Sequence, residues 1–260
     1  MTSQYATSSN FDIRVNFAKK YSTKNWLGWL AERLPITSSD KVLDVGCGTG
    51  NIWLVLSHHE KYPGTLTLYD KSPAMLSKST EVLKFMQAKS ALTSLVGDAE
   101  DLPFEDNSFD TVLALHMLYH VKDQPKAVAE FARVLRPNGK LYLTSNTTRN
   151  MKPIFETAYQ AFGQSGVRVD PGAHAFDPDT AKTLLSPHFQ TVDKELFVDV
   201  YRVSSQEDVV NFLGSMTEVW SPTDTQIRSV PSHVSQTFKN TNGTLELDHE
   251  CAMITATLGD

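Results

Sequence analysis

The run Val42-Leu43-Asp44-Val45-Gly46-Cys47-Gly48-Thr49-Gly50 constrains the fold most, because it carries a short apolar strand straight into three alternating glycines. Glycine accepts turns and close approaches that a Cβ forbids, so the strand turns tightly here and a helix near Ile52 to Ser57 follows. The rhythm then repeats. Gly64 precedes a strand from Thr65 to Tyr69, Pro73 opens a helix to about Ala88, and Ser94 to Val96 is a third short strand. Strand, helix, strand, helix, strand implies a parallel, doubly wound α/β sheet with ligands at the carboxyl ends of its strands. The pattern continues through a strand Thr111 to Leu115, a helix Pro125 to Leu135, the turn Arg136-Pro137-Asn138-Gly139 and a strand Lys140 to Thr144. In that turn Pro sets φ, and Asn and Gly accept positive φ.

Ahead of this core, Phe17, Tyr21, Trp26, Leu27, Trp29, Leu30 and Leu34 are spaced as one face of a helix or helix pair ending at Pro35. Beyond it the order loosens. Asn146 to Phe176 reads as an insertion with one helix around Ile154 to Phe162, and Asp177-Pro178 as the N-cap and first-turn proline of a helix to about Ser186. A long strand Thr191 to Val203, helices near Gln206 to Ser215 and Thr223 to Asn240, and a last strand Glu246 to Thr257 complete the chain. No repeat or linker marks a boundary. At 260 residues, 40% of them hydrophobic, one elaborated domain is expected: a helical cap 1–36, a cofactor-binding half 37–146 and an acceptor-side half 147–260.

The spacing of the glycines selects the ligand. Dinucleotide sites use G-x-G-x-x-G, whereas Gly46, Gly48 and Gly50 make G-x-G-x-G and Asn51 stands where the last fingerprint glycine would be. Asp44 adds a carboxylate beside the loop, which repels a pyrophosphate and suits a ligand carrying an ammonium and a sulfonium. S-adenosylmethionine is such a ligand. Asp70, about twenty residues past Gly50, ends the next strand, where a carboxylate can accept from both ribose hydroxyls; a solvated loop Asp is the alternative. Gly97-Asp98-Ala99-Glu100 follows the third strand, where Asp98 can accept from an adenine amino group, the backbone at Ala99 can meet the ring nitrogen, and short residues admit the ring.

These residues carry a resemblance. The glycine loop, Asp70, the stretch Gly-Asp-Ala-Glu-Asp-Leu-Pro-Phe-Glu-Asp-Asn-Ser-Phe-Asp from Gly97, and Leu135-Arg136-Pro137-Asn138-Gly139-Lys140 are similar to class I S-adenosylmethionine-dependent methyltransferases, particularly the small group resembling ubiquinone/menaquinone-biosynthesis enzymes. The match runs over roughly Lys41 to Ser145. It implies a Rossmann-like seven-stranded sheet, mostly parallel, whose final strand is inserted antiparallel beside the fifth. It also implies that Asp44 and the loop Gly46, Cys47, Gly48, Thr49 and Gly50 hold the methionine part, Asp70 the ribose, and Lys71 and Met75 the faces of the adenine. Asp98 with Ala99 reads the adenine edge, His116 lies near the methyl group, and Glu100 and Leu115 also belong to the implied cofactor-binding set.

Methyl transfer needs alignment more than a nucleophile, but a poorly acidic acceptor also needs a base. His116, Tyr119 and His120 follow the fourth strand and are the base candidates, with packing as the alternative role. Tyr21 is a candidate lid over the cofactor among the N-terminal aromatics Tyr5, Phe11, Phe17 and Trp26. Arg149, Tyr159, Arg168, His174 and Trp220 lie where an acceptor pocket is expected. His58 and His59 read as solvated.

The formal charge of −6 argues against a nucleic-acid partner, and the two cysteines form neither a disulfide framework nor a zinc spacing. No metal is expected. With no apolar run of signal or membrane-spanning length, the expectation is a soluble cytoplasmic protein, monomer or homodimer, acting on a small molecule. An RNA or protein methyltransferase and a non-catalytic S-adenosylmethionine-binding protein are the competing readings.

Overall fold

The computed structural model describes residues 8–163, 171–216 and 220–260. Tyr5 and Arg168 lie outside them, as does the side chain of Phe11. Seven strands form one sheet: β1 (Lys41–Val45), β2 (Thr65–Asp70), β3 (Ala91–Val96), β4 (Phe109–Leu115), β5 (Leu135–Asn146), β6 (Thr191–Val203) and β7 (Leu245–Thr257), in the order β3-β2-β1-β4-β5-β7-β6. β1 pairs in parallel with β2 and β4, β2 with β3, and β4 with β5, whereas β7 runs antiparallel to β5. The expected sheet, with its antiparallel strand beside the fifth, is therefore present. Chain order reverses between β1 and β4, so a crevice opens outside their carboxyl ends.

The helices are α1 (Ser8–Tyr21), α2 (Trp26–Arg33), α3 (Asn51–His58), α4 (Pro73–Val82), α5 (Gln124–Val134), α6 (Lys152–Phe162), α7 (Pro171–Ala175), α8 (Ala181–Leu185), α9 (Gln206–Gly214) and α10 (Asp224–Asn240). The expected N-terminal helix pair is α1 and α2. The expected helix from Pro73 stops at Val82, and a separate 3-10 turn covers Lys84–Ala88. Asp177 begins a turn where a helix was expected. Its carboxylate accepts from Asp179 N at 2.9 Å and its carbonyl from Thr180 N at 3.0 Å, so the helical run starts only at Ala181. The turn at Arg136 to Gly139 sits inside β5 as an irregularity: pairing jumps from Phe109↔Leu135 to Thr111↔Lys140, with Asn138 at φ +62°.

The chain gathers into two compact units: Asn25–Asn146 with Ala175–Phe197 and Cys251–Asp260, and Met1–Lys24 with Thr147–His174 and Val198–Glu250. In the first unit, strand alternation sorts the core. Leu43, Val45, Val112 and Ala114 pack with Ala127, Val128 and Phe131 of α5. Val42, Leu66, Leu68 and Leu113 pack with Leu30, Ile52, Trp53 and Leu56 of α2 and α3. Because Asp44 shares the parity of Val42, its side chain belongs to the α3 face.

In the second unit, Phe17, Phe155, Phe212, Val234 and Phe238 join α1, α6, α9 and α10 in one core. Two buried carboxylates tie this unit internally. Asp199, 1% exposed, accepts from Ser22 Oγ at 2.7 Å, Thr23 N at 2.9 Å, Thr23 Oγ1 at 2.5 Å and Lys24 N at 3.1 Å. Burial raises its pKa, but those hydroxyl and amide donors outweigh burial and hold it at about 2. Glu250 takes a bidentate pair from Arg149 at 2.8 to 3.1 Å and a hydrogen bond from Thr147 Oγ1 at 2.6 Å.

Candidate functional site

The site is built at the carboxyl ends of β1, β2 and β4 in the first unit. As β1 ends, Gly46 N and Cys47 N both donate to Tyr69 O, at 2.7 and 3.3 Å, which draws the glycine loop over the end of β2. Gly46 and Gly48 sit at φ +68° and +54°, in the left-handed region. A Cβ on Gly46 would fall 2.6 Å from Met117 Cβ, so this glycine lets the loop abut the turn after β4. A Cβ on Gly48 would meet nothing within 4 Å, so open space lies over the loop at that point. Thr49 is buried, and Gly50, at φ +74°, caps α3.

Asp70 answers the loop from β2. Its Oδ2 accepts from Gly48 N at 2.9 Å and its Oδ1 from Ser72 N at 2.8 Å, which fixes the carboxylate between loop and α4. Each oxygen keeps a lone pair for a further donor, so a bidentate diol contact stays chemically open. Below the loop, Asp44 is 1% exposed and its Oδ2 accepts from the indole Nε1–H of Trp53, which is 0% exposed, at 2.7 Å. Burial pushes the Asp44 carboxyl up; the indole hydrogen bond opposes this and the nearby Asp70 adds to it, giving about 7. Burial, with Asp44 and Asp70, also raises the Cys47 thiol, whose sulfur lies 3.9 Å from Ser79 Oγ.

At the third strand end, Lys71 Nζ pairs with Asp98 Oδ2 at 2.7 Å, and Asp98 Oδ1 accepts from Glu100 N at 3.1 Å. The lysine's hydrogen bond holds Asp98 below the usual carboxylate range. Gly97 is small for a reason the sequence did not reveal: a Cβ there would lie 1.8 Å from the Tyr69 hydroxyl, so the neighbouring tyrosine by itself requires the glycine. The Glu100 carboxylate is likewise engaged within the protein, accepting from Lys122 N at 3.2 Å and Asp123 N at 3.0 Å ahead of α5. Met75 is half-buried in the first turn of α4, and Ala99 is buried.

Leu115 ends β4, and His116 follows at φ +53°, a conformation that costs a non-glycine residue about 1–3 kcal/mol. Its N–H donates to both the carbonyl and the hydroxyl of Thr144, each at 3.0 Å, which holds the turn. The His116 ring lies 5.7 Å from Trp26 and 6.4 Å from Tyr119, and Tyr119 lies 4.4 Å from His120, so the three base candidates form one aromatic chain. His116 and Tyr119 are half-buried and His120 exposed. His58 and His59 are exposed at the end of α3.

Several expected site residues belong to the second unit. Tyr21 gives its hydroxyl to Asp208 and packs 5.0 Å from Phe17. Arg149 serves Glu250, and Trp220 is buried against Phe155, Tyr159 and Phe162. His174 is exposed. This unit also has an open cavity of about 630 Å3 lined by Glu156, Gln160, Thr237, Asn240 and Glu246 among others, none of them a residue the sequence had pointed to. Trp53, Asp199 and Glu250 are what sequence reasoning missed. For Trp53 a signal existed, an indole donor in the first helical turn after a loop preceded by a buried-strand Asp.

Residues 43–143 match the methyltransferase-domain family. The matched stretch runs from within β1 into β5 and includes all of the loop described above. A demethylmenaquinone methyltransferase of Staphylococcus carnosus (strain TM300) is 32% identical over 155 residues, covering 60% of this chain. The chain spans 63% of that relative's length. Among solved structures, a Bacillus halodurans protein superposes with a TM-score of 0.64 at 16% identity, covering 90% of this chain and 99% of that one. Phosphoethanolamine N-methyltransferase 2 of Haemonchus contortus, in complex with S-adenosyl-L-methionine, gives a TM-score of 0.60 at 19% identity and covers 100% of this chain and 59% of its own. Both are likenesses of fold. Among the described residues, no group of three metal-ligating side chains comes together, and no helix is long and apolar enough to cross a membrane.

Proposed function

We propose that the chain is an enzyme that transfers a methyl group from S-adenosylmethionine to a small-molecule acceptor, releasing S-adenosylhomocysteine. Asp44 carries the reading. A carboxylate this deeply buried, with a pKa lifted to about 7, marks a site short of a positive charge, and the open space over Gly48 leaves room for a cationic ligand to supply it. A pyrophosphate would add negative charge beside Asp44 and Asp70 instead.

In this reading Asp44 and the loop Gly46 to Gly50 receive the amino-acid half of the cofactor. Asp70 accepts the ribose hydroxyls while holding Gly48. Lys71 and Met75 flank the adenine, and Asp98 with Ala99 reads its edge. Glu100 supports that edge by fixing the start of α5, and Tyr21, engaged by Asp208, is left out of the set. When bound, S-adenosylmethionine supplies a methyl group already activated by positive sulfur. The protein then has to align an acceptor beside Leu115 and His116 and exclude water. His116, Tyr119 and His120 are the groups that would take a proton from an acceptor that needs a base.

The names of the similar proteins include a demethylmenaquinone and a phosphoethanolamine methyltransferase, both named for small-molecule acceptors. A net charge of −6 favours a small molecule over nucleic acid. The test is calorimetry followed by transfer of label. S-adenosylmethionine is expected to bind and NAD not to, and Asp70→Ala to weaken binding severely. Labelled S-adenosylmethionine should mark the metabolite fraction of a lysate. Label in the polymer fraction alone, or equal cofactor affinity in the variant, overturns the reading.

A further inference from the structure

We propose that Trp53 is a positioning residue for the cofactor's amino-acid half, its indole N–H holding the Asp44 carboxylate as the buried anion that meets the ligand's ammonium. The inference rests on the S-adenosylmethionine reading of the glycine loop.

The geometry starts from strand parity. Asp44 is the last residue but one of β1 and points to the α3 face, where hydrophobic residues Leu56, Leu66, Leu68 and Leu113 form the core. A carboxylate has no business in such a core unless something binds it. Trp53 supplies the first partner. It stands in the first turn of α3, immediately after the loop, and reaches back to Asp44 Oδ2 at 2.7 Å, so strand, loop and helix are closed by one hydrogen bond. The hydrogen bond engages Oδ2, and Oδ1 carries lone pairs that a ligand's ammonium can meet. An indole is a donor only, and it binds an ionised carboxylate more strongly than a neutral carboxyl, so the contact favours the anion.

The charged and titratable groups around Asp44 explain why such help is needed. Asp70, from the end of β2, raises the Asp44 pKa, and burial raises it more; Cys47, from the loop, is neutral and itself pushed up. The β4 residue opposite Asp44 is the apolar Leu113. Trp53 is the one neighbour identified as lowering the pKa. The indole N–H therefore favours the charged form of Asp44 that an ammonium would meet.

Trp53→Phe keeps an aromatic ring and removes the donor. The probes are S-adenosylhomocysteine, which carries the ammonium, and adenosine, which does not, titrated calorimetrically from pH 6 to 9. The variant is expected to bind S-adenosylhomocysteine roughly tenfold or more weakly at pH 7, the loss of one hydrogen bond to a charged group, and to regain affinity as pH rises. Adenosine affinity should be unchanged, which also reports that the fold is intact. Equal loss for both ligands, or a loss independent of pH, makes Trp53 merely structural and overturns the proposal. Failure of wild-type protein to bind either ligand refutes the cofactor reading instead. Should the variant not fold, the wild-type indole N–H resonance of Trp53 serves: it should titrate near neutral pH without ligand and cease to do so with S-adenosylhomocysteine bound, and a resonance that ignores both sinks the idea.

Discussion

His116 combines a strained backbone with a chemically useful ring. Only a short menu of residues tolerates φ near +53°, with Asn prominent among them. His116→Asn is therefore expected to keep thermal stability within about 1 kcal/mol of the wild type, because Asn, like His, is among the residues that accept this conformation. Methyl transfer should fall while cofactor affinity holds. Denaturation curves alongside single-turnover label transfer check this; an unchanged rate would return His116 to a packing role. At this scale the sequence was legible where spacing fixes position: Asp44, Asp70 and the three glycines gather at the carboxyl ends of β1 and β2. It was not legible where a side chain's partner comes from another element. Nothing in the local sequence says that Gly97 makes way for the Tyr69 hydroxyl, that Glu100 reaches the amides before α5, or that Asp44 is met by Trp53.

Strands and helices were read closely because their signals are local. β6 matches its expected limits, and capping explains several helix starts: Ser72 and Pro73 for α4, Asp123 for α5, and the capping box of Thr223 and Gln226 for α10. The exception at Asp177 is instructive, since the same residue that caps helices also closes turns on its own. Loops held by distant carboxylates were not readable at all. The α1 to α2 connection is fastened by Asp199, more than 170 residues away, with a pKa depressed from 3.8 to about 2. A depressed carboxylate contributes stability above its unfolded pKa, and that contribution disappears as pH falls from about 4 to about 2. The shift corresponds to about 2 kcal/mol at neutral pH. Asp199→Asn is expected to lose about that much in urea denaturation at pH 7 and to converge on the wild type near pH 2. A constant difference across that range would mean that charge is not what fastens the loop.

For the whole molecule, the path of the chain matters more than any element. It passes between the two units at 24/25, 146/147, 174/175, 197/198 and 250/251, so neither unit is a continuous stretch. The methyltransferase-domain match at 43–143 ends before β7, yet β7 completes the sheet by pairing Cys251 to Thr257 against Asn146 to Lys140. A fragment ending at Asn146 keeps β1 to β5 and the glycine loop but exposes the edge of β5. It is expected to be insoluble, or to exchange the β5 amides rapidly, and to be rescued by co-expression with residues 147–260. A soluble, well-protected fragment would show that the matched region folds alone.

That pairing also sets a schedule for biosynthesis. Asn146 and Cys251, which meet at the end of the β5–β7 ladder, are 105 residues apart. At ribosomal rates of about 5–20 residues per second, β5 waits roughly 5–20 s for the strand that covers it. During that interval the apolar Leu141 and Leu143 sit beside an open edge on the nascent chain, a natural station for a chaperone to attend.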